Sequence, residues 1–494
     1  MAGGSAKQET VAAAVTEQVP HIGQKIREDS AQLAPALPAA QPTVTHRHSK
    51  KIPTSRIGRL GHLASLAGKI AGSVLTEGAK QFVQGQKPSL PQLLLTPANA
   101  QRVANQLSQM RGAAMKLGQL LSMDAGDLLP PALSQILAQL RANASPMPPA
   151  QLAALLAQQW GPGWQRHFSH FGFDPIAAAS IGQVHQAYHD DHRPDRPRPL
   201  AVKVQYPGIS TSIDADVDNV ASLLKLSGLL PAGLDLAPLL AEAKQQLHKE
   251  ADYQQEAAYL QRYRDYLADD HRFSLPYIYP ELSTKQILTM SFVEGVAVDA
   301  LRTEPQQRRN EVVAQLFTLL FKEMFEFRLV QTDPNFANYR FNLTTNQLVL
   351  LDFGACRDYS PHIVEGYRSL FGALLHNDVP RQLQALRAIG YFSTDIHPAQ
   401  QQAVLDLVAL AAEPLHAASY DFATSDLPSR MRDAGLKLSM QHHYWHTPPV
   451  DAIFLHRKMA GLFLLAKTLN AHISIRDLIM PFLTTGTDAD HTKP

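Results

Sequence analysis

The chain has one cysteine, Cys356, in 494 residues. A single thiol excludes an internal disulfide framework and a thiolate zinc site, and it fits a reducing compartment. An excess of either charge is missing too: 45 Lys and Arg stand against 44 Asp and Glu, a formal net charge of +1. Without a global basic field, a nucleic-acid partner is not expected. No apolar run approaches the roughly 20 residues needed to span a bilayer. The stretch "MAGGSAKQETVAAAVTEQVP" places Glu9 and Glu17 early, and the first arginine is Arg27. That is a poor secretory signal and a poor organelle presequence, so the expectation is a chain that stays where it is made. Histidine is plentiful at 21, but His185, His189, His192, His442 and His443 show no H-E-x-x-H spacing and read as scattered surface residues rather than metal ligands.

Hydrophobic residues at 45% and charged residues at 18% describe a globular chain long enough for two or three packed units. Residues 1–50, rich in Ala, Pro, Gln and Ser, read as a disordered lead-in. Residues 51–165 read as helical. Within them "SRIGRLGHLASLAGKIAGSVL" repeats Ile57, Leu60, Ala64, Ala67, Ile70 and Val74 at helical spacing beside Arg56, Arg59 and Lys69. It fits either an interfacial helix at a membrane or a helix packed on the body. A second stripe, Val103, Leu107, Met110, Leu117 and Leu121, follows Pro97 and Asn99, and shorter helices are expected around 131–141 and 149–160.

From about residue 166 the character becomes mixed. Strands are expected at "LAVKVQYP" and "KQILTMSFVEG", helices between about 210 and 263, and a hairpin in "NYRFNLTTNQLVLLDFGA" around the polar "NLTTN" turn. The remainder to about residue 484 reads as helical, and 485–494 as a loose tail.

Chemistry concentrates in "VQTDPNFANYRF" and "LVLLDFGACRD". Asp333 and Asn338 stand five apart before a strand, and Asp352 ends the second strand of the hairpin just before Phe353 and Gly354. Two carboxylates and an amide oxygen are hard ligands suited to a magnesium ion shared with phosphates. Protein kinases carry a catalytic-loop aspartate, an asparagine five residues later and a D-F-G aspartate in this order. Lys203 lies in the alternating strand "LAVKV", where a buried ammonium needs a carboxylate or phosphate. Glu250, Asp252 and Glu256 in "LHKEADYQQEAAYL" are the candidate partners.

Together "MKLGQLLSMD", "PIAAASIGQVH", "AVKVQYPG", "KEADYQQEAAY", "QTDPNFANY" and "LLDFGACRDY" resemble the UbiB-like atypical kinase family associated with coenzyme Q biosynthesis, in its mitochondrial and proteobacterial branch. The resemblance runs from about Ile52 to "FLHRKMAGLFLLAKTL". It implies an α+β, two-lobed atypical protein-kinase-like fold with an N-terminal helical extension packed over the active site. The extension would be 51–165, the N-lobe 166–295 and the C-lobe 296–484.

The resemblance also implies ATP or ADP with Mg2+, Lys203 paired with Glu256, Asp333 as the catalytic-loop aspartate, and Asn338 and Asp352 as magnesium ligands. Nucleotide contacts would come from Ala177, Ala178, Ala179, Ser180, Lys203, Glu294 and Val296. The K-x-G-Q segment would be Lys116, Gly118 and Gln119, covering the peptide site and meeting a regulatory E-x-D pair at Glu250 and Asp252. Lys116 and Gln119, three apart, share a helix face.

Two departures from ordinary protein kinases stand in the residues themselves. Gln331-Thr332-Asp333 lacks the arginine that answers an activation-loop phosphate, and D-F-G runs almost directly into "SPHIVEGYRSLFGALL" with no A-P-E segment. Phosphorylation of proteins in trans is therefore not expected.

The expected function is an ATP-binding, Mg-dependent kinase-like protein that hydrolyses ATP, or phosphorylates a small or lipid-like molecule, in support of ubiquinone biosynthesis. The alternative is a nucleotide-sensing scaffold or lipid-extraction chaperone for quinone synthesis without productive phosphoryl transfer. Expected partners are the nucleotide, quinone-biosynthesis enzymes, lipid or prenylated phenol precursors and a peripheral membrane surface. The expected setting is the cytoplasmic side of a bacterial inner membrane or, in a eukaryote, the mitochondrial matrix.

The tract "AAAS" alone reads as helix. Its place ahead of the Lys203 strand favours a nucleotide loop in which alanine stands where kinases carry glycine. Left-handed backbone costs alanine roughly 1–2 kcal/mol, so this loop should be stiffer and differently shaped, a brake on phosphoryl transfer.

Overall fold

The computed structural model describes residues 146–179, 181–189, 198–226, 237–333, 335–392, 396–440 and 448–484. The expected helices between 51 and 141, with Lys116, Gly118 and Gln119, lie outside the described residues, as do Ser180, His192, His442 and His443.

Five strands form the N-lobe sheet. They are β1 (Phe168–Phe171), β2 (Ala177–Ala178), β3 (Gly182–His189), β4 (Arg198–Gln205) and, after the short β5 (Phe273–Ser274) that joins a different sheet, β6 (Ile287–Ser291). The path runs β1-β3-β4-β6, antiparallel throughout, with β2 paired to β3. Period-two alternation decides the faces of β4. Leu200, Val202 and Val204 enter one hydrophobic cluster behind the sheet, which leaves Ala201 and Lys203 on the opposite face.

Helix α1 (Pro149–Trp160) covers the rear face. Pro149 suits the first helical turn, where no intrahelical donor is needed. Gly161, at φ 84°, follows the last turn. Leu152, Leu155 and Leu156 sit on one stripe and share a core with Trp164, Phe168 and β4. Each buried leucine contributes roughly 1.5–3 kcal/mol, which holds this helix against the N-lobe sheet. It falls within the stretch to residue 165 that reads as a helical extension, and its amphipathic pattern alone does not say which surface it meets.

His185 differs from its expected surface position. It is fully buried behind the sheet, where Nδ1 meets Gly172 O at 2.8 Å and Nε2 meets Gln183 Nε2 at 2.8 Å. Gln183 Oε1 in turn accepts the Met147 N–H. Burial lowers the His185 pKa, with the Gly172 bond opposing. The residue works as a polar tie within the core.

Gly182 opens β3 where two strands and a helix crowd together. A Cβ there would lie 2.3 Å from Val204 O and 2.9 Å from Tyr253 Oη, both inside contact distance. Gly182→Ala should therefore force the β3–β4 pairing apart and cost about 1–3 kcal/mol, read as a fall in thermal midpoint.

Helices α2 (Ile209–Leu226), α3 (Ala237–Glu250) and α4 (Tyr253–Tyr266) follow the sheet. Asp252 caps α4, its Oδ1 accepting the N–H groups of Gln254 and Gln255. Tyr253, Leu260 and Tyr263 of α4 join Leu288 and Met290 of β6 to the large C-lobe core.

The C-lobe begins with β7 (Val296–Ala297) and α5 (Gln306–Lys322), which passes into a π-helical turn, Glu323–Phe327. Then come β8 (Leu329–Gln331), the hairpin of β9 (Tyr339–Asn342) and β10 (Gln347–Leu350), and β11 (Cys356–Asp358). The polar turn forms as its residues require. Asn342 accepts the N–H groups of Thr344 and Thr345, and Asn346 takes the left-handed backbone at φ 56°. The sheet order is β5-β10-β9-β7, and β11 pairs with β8. Helices α6 (Pro361–Leu375), α7 (Val379–Ile389), α8 (Pro398–Ala411), α9 (Leu427–Met440), α10 (Val450–Thr468) and α11 (Ile475–Thr484) complete the lobe.

Candidate active site

Between the lobes lies a cleft of about 810 Å³, a size suited to a nucleotide. Val184, Ala201, Met290 and Leu351 give it apolar walls, and Lys203, Glu256, Asp333, Asn338 and Asp352 all open onto it. Residues from four separate stretches of sequence thus meet in one place.

Strand alternation points Lys203 into this cleft, and the first turn of α4 delivers Glu256 to it. Lys203 Nζ lies 2.8 Å from both carboxylate oxygens of Glu256 and 3.4 Å from Asp352 Oδ2. The Tyr253 ring lies 5.1 Å from the same ammonium, a cation–π distance. Burial opposes the charge on Lys203, but Asp352 and Glu256 outweigh it and hold the ammonium protonated far above the usual lysine range. For Glu256 burial is the largest influence. It pushes the carboxyl up to about 7, with Asp352 adding to the effect and Lys203 opposing it.

Opposite stands the loop between β8 and β9. Thr332 fastens it, donating N–H and Oγ1–H to Ala355 O at 3.1 and 2.7 Å. Asn338 Nδ2 donates to Asp333 Oδ2 at 3.2 Å, which turns the amide oxygen of Asn338 away from that carboxylate. Asp352 Oδ1 accepts the Gly354 N–H at 3.0 Å. Two carboxylates and an amide oxygen around one opening fit a magnesium ion that takes its remaining ligands from phosphates and water. Among the described residues no group of three or more His, Cys, Asp or Glu is arranged to hold a metal alone.

The alanines form the roof. Ala177 and Ala178 are extended, pairing with Val184 and Gln183, and Ala179 N–H donates to Gly182 O at 3.0 Å. None of the three adopts positive φ. Glu250 and Glu294 also line the cleft, whereas Val296 does not; it pairs with Phe341 in the C-lobe sheet. Arg340 Nε donates to Gly295 O at 2.7 Å and ties the linker between the lobes to β9.

Beyond Gly354, residues 355–360 are taken up by β11 and by Ser360, whose Oγ caps α6. No length remains for a peptide platform.

The ABC1 atypical kinase-like domain matches residues 139–386, about half of the chain. This chain belongs to the ABC1 atypical kinase-like family. Among its relatives, the mitochondrial atypical kinase COQ8 of Saccharomyces cerevisiae is 36% identical over 429 residues, 86% of this chain and 84% of the relative. The mitochondrial atypical kinase COQ8B of Rattus norvegicus is 36% identical over 446 residues, 89% and 83% of the two chains. A solved Mycobacterium tuberculosis structure, Rv3197 with erythromycin, aligns at TM-score 0.52 and 23% identity over 76% of this chain and 95% of that one, a likeness of fold. The two-lobed atypical kinase architecture expected from the resemblance is the one observed.

One feature of this ABC1-family site escaped the sequence reading. Lys458 of α10 is buried directly behind the loop between β8 and β9, bonded to Gln331 and Tyr339 and 3.3 Å from Glu323. The available signal was a lysine within the apolar run "FLHRKMAGLFLLAKTL", which by itself is equally a snorkelling side chain.

Proposed function

We propose that the chain binds ATP with magnesium and either hydrolyses it or passes its terminal phosphoryl group to a small or lipid-like acceptor, in support of ubiquinone synthesis at a membrane surface. The observation that carries this reading is the Lys203 ammonium held between Glu256 and Asp352 in a cleft whose facing loop presents Asp333 and Asn338. Lys203 orients the phosphates. Asp333 positions the attacking hydroxyl or water and takes its proton at a carboxylate oxygen. Asn338 and Asp352 would hold the magnesium, which when bound would supply positive charge against that developing on the phosphate oxygens. Glu250 and Asp252 have a regulatory role, and Glu294 contacts the nucleotide.

The short exit from D-F-G supports an acceptor smaller than a protein. The extended Ala177–Ala178 strand supports a loop that restrains the phosphates rather than wrapping them. The mitochondrial COQ8 relatives support a mitochondrial setting. Among the described residues no helix is long and apolar enough to cross a membrane.

The test is ATP turnover by the purified chain, with magnesium or with chelator, beside Asp333→Asn. We expect turnover that requires magnesium and falls by about 10²–10⁴-fold in the variant. Equal turnover in the two proteins would overturn the phosphoryl-transfer reading. Quinone synthesis supported in cells by Asp333→Asn as well as by wild type would favour a nucleotide-operated scaffold instead.

A further inference from the structure

We propose that Lys458 is a positioning residue for the catalytic loop: one buried ammonium grips both ends of the segment 331–339, which carries Asp333 and Asn338. The inference rests on the phosphoryl-transfer reading of that loop and deepens it.

Lys458 stands 127 residues beyond Gln331, on the face of α10 that also buries Phe454, Leu455, Leu462 and Leu465. It is 1% exposed, and Glu323 beside it is 1% exposed. Its Nζ donates to the main-chain oxygen of Gln331 at 2.8 Å, to Gln331 Oε1 at 3.2 Å and to Tyr339 Oη at 2.6 Å. Gln331 lies two residues before Asp333, and Tyr339 follows Asn338 directly. The Asn338–Asp333 bond at 3.2 Å then braces the interior of the same segment. The ammonium therefore closes a frame around the two residues that the chemistry needs.

The cation is itself held. Glu323 Oε2 lies 3.3 Å from Nζ, and Glu323 Oε1 accepts the Tyr263 hydroxyl at 2.9 Å. Glu323 opens the π-helical turn that leads into β8, the kind of helix irregularity that recurs at functional sites. Burial opposes the charge on Lys458, yet Glu323 and Tyr339 more than offset it and keep the ammonium protonated.

A helix that had only to pack here would do as well or better with leucine or methionine, because desolvating an ion pair is costly. What apolar side chains cannot supply is direction. Two short bonds from one atom to a loop carbonyl and to a tyrosine hydroxyl fix the loop's position in a way that contact area does not.

The test uses the full chain carrying Lys458→Met with Glu323→Gln. This pair of changes removes both charges together, so no uncompensated ion stays buried, and the amide oxygen introduced by Glu323→Gln still accepts the Tyr263 hydroxyl. The variant should remain folded, with kcat for Mg-dependent ATP turnover reduced about ten- to a hundredfold. The Mg2+ concentration giving half-maximal turnover should rise about tenfold, while KM for ATP changes less than about twofold, because Lys203 and the N-lobe are untouched. A lower fraction of folded protein would reduce kcat without moving the Mg2+ midpoint.

Without nucleotide or metal, amide hydrogen exchange at 332–339 should quicken about tenfold while that of β3 and β4 stays the same. Unchanged kcat, Mg2+ midpoint and exchange in the folded variant overturn the inference. So does exchange that quickens equally across the C-lobe, which would make Lys458 ordinary core. A parent chain with no Mg-dependent turnover overturns the phosphoryl reading and this inference with it; a parent that turns over beside an unaltered variant overturns this inference alone.

Discussion

Asp352→Asn should reduce Mg-dependent ATP turnover by about three orders of magnitude while leaving the fold intact. Asp352 stands two residues beyond β10, and its two oxygens have separate tasks. Oδ1 takes the Gly354 N–H and sets the shape of the turn; Oδ2 faces Lys203 across the cleft at 3.4 Å. Asparagine keeps an oxygen for the turn, so the local backbone has no reason to move. It lacks the negative charge that a hard divalent ion requires, and its amide nitrogen would meet the metal or Lys203 with the wrong polarity. The variant should also lose its Mg2+-dependent gain in nucleotide affinity, measurable by calorimetry with and without metal. Lys203 keeps Glu256 at 2.8 Å, so the thermal midpoint should shift little. Turnover near the wild-type rate would remove Asp352 from the metal site and leave Asp333 and Asn338 to account for any magnesium dependence.

The candidate site was legible in the sequence to the extent that it is local. Asp333 and Asn338 lie within six residues, Asp352 closes a hairpin whose turn residues announce themselves, and Lys203 sits on a strand whose alternation fixes its face. Each of these follows from spacing and from what the backbone permits. The partner of Lys203 was narrower than a guess but wider than an answer, since Glu250, Asp252 and Glu256 all lay within reach of the helix that follows. The structure separates them by phase. Asp252 is spent on capping α4, Glu250 ends α3, and only Glu256 stands in the first turn on the side that faces β4.

What the sequence withheld depends on contacts between distant segments. Nothing near Lys458 announces Gln331, and nothing in the stripe of α1 says that it covers the N-lobe sheet. His185 carries no mark of burial, because its partners Gly172 and Gln183 are brought to it by strand pairing. Val296, a nucleotide contact implied by the resemblance, pairs with Phe341 of β9 and does not line the cleft. In each case the deciding quantity is which surface a face meets, and periodicity reports only that a face exists.

Glu256→Gln should lower nucleotide affinity at least about tenfold without lowering the thermal midpoint at pH 8. A carboxyl that burial pushes up to about 7 is less stable in the fold when ionised than when neutral, so a neutral amide there removes no net stability. With Glu256 neutral, Lys203 is drawn to Asp352, where it competes with magnesium and no longer stands ready for phosphate. Losing a charge-assisted bond of about 1.5–3 kcal/mol lowers nucleotide affinity at least tenfold. Lys203→Met with Glu256→Gln, which also removes the buried ammonium, should restore none of the affinity.

The same carboxyl sets an acid limit on the wild type. Burial holds its pKa up to about 7, so the ionised partner of Lys203 is present above that pH and is lost as the pH falls through it. The kcat/KM of wild type for ATP should therefore fall about tenfold per unit below pH 7 and be level above it, since kcat/KM reports groups of the free enzyme. In Glu256→Gln this limb should vanish. Magnesium at Asp352 removes one of the influences that raise Glu256, so saturating metal should move the limb to lower pH. An acid limb that survives Glu256→Gln unchanged would assign the titration to another group and detach Glu256 from control of the site.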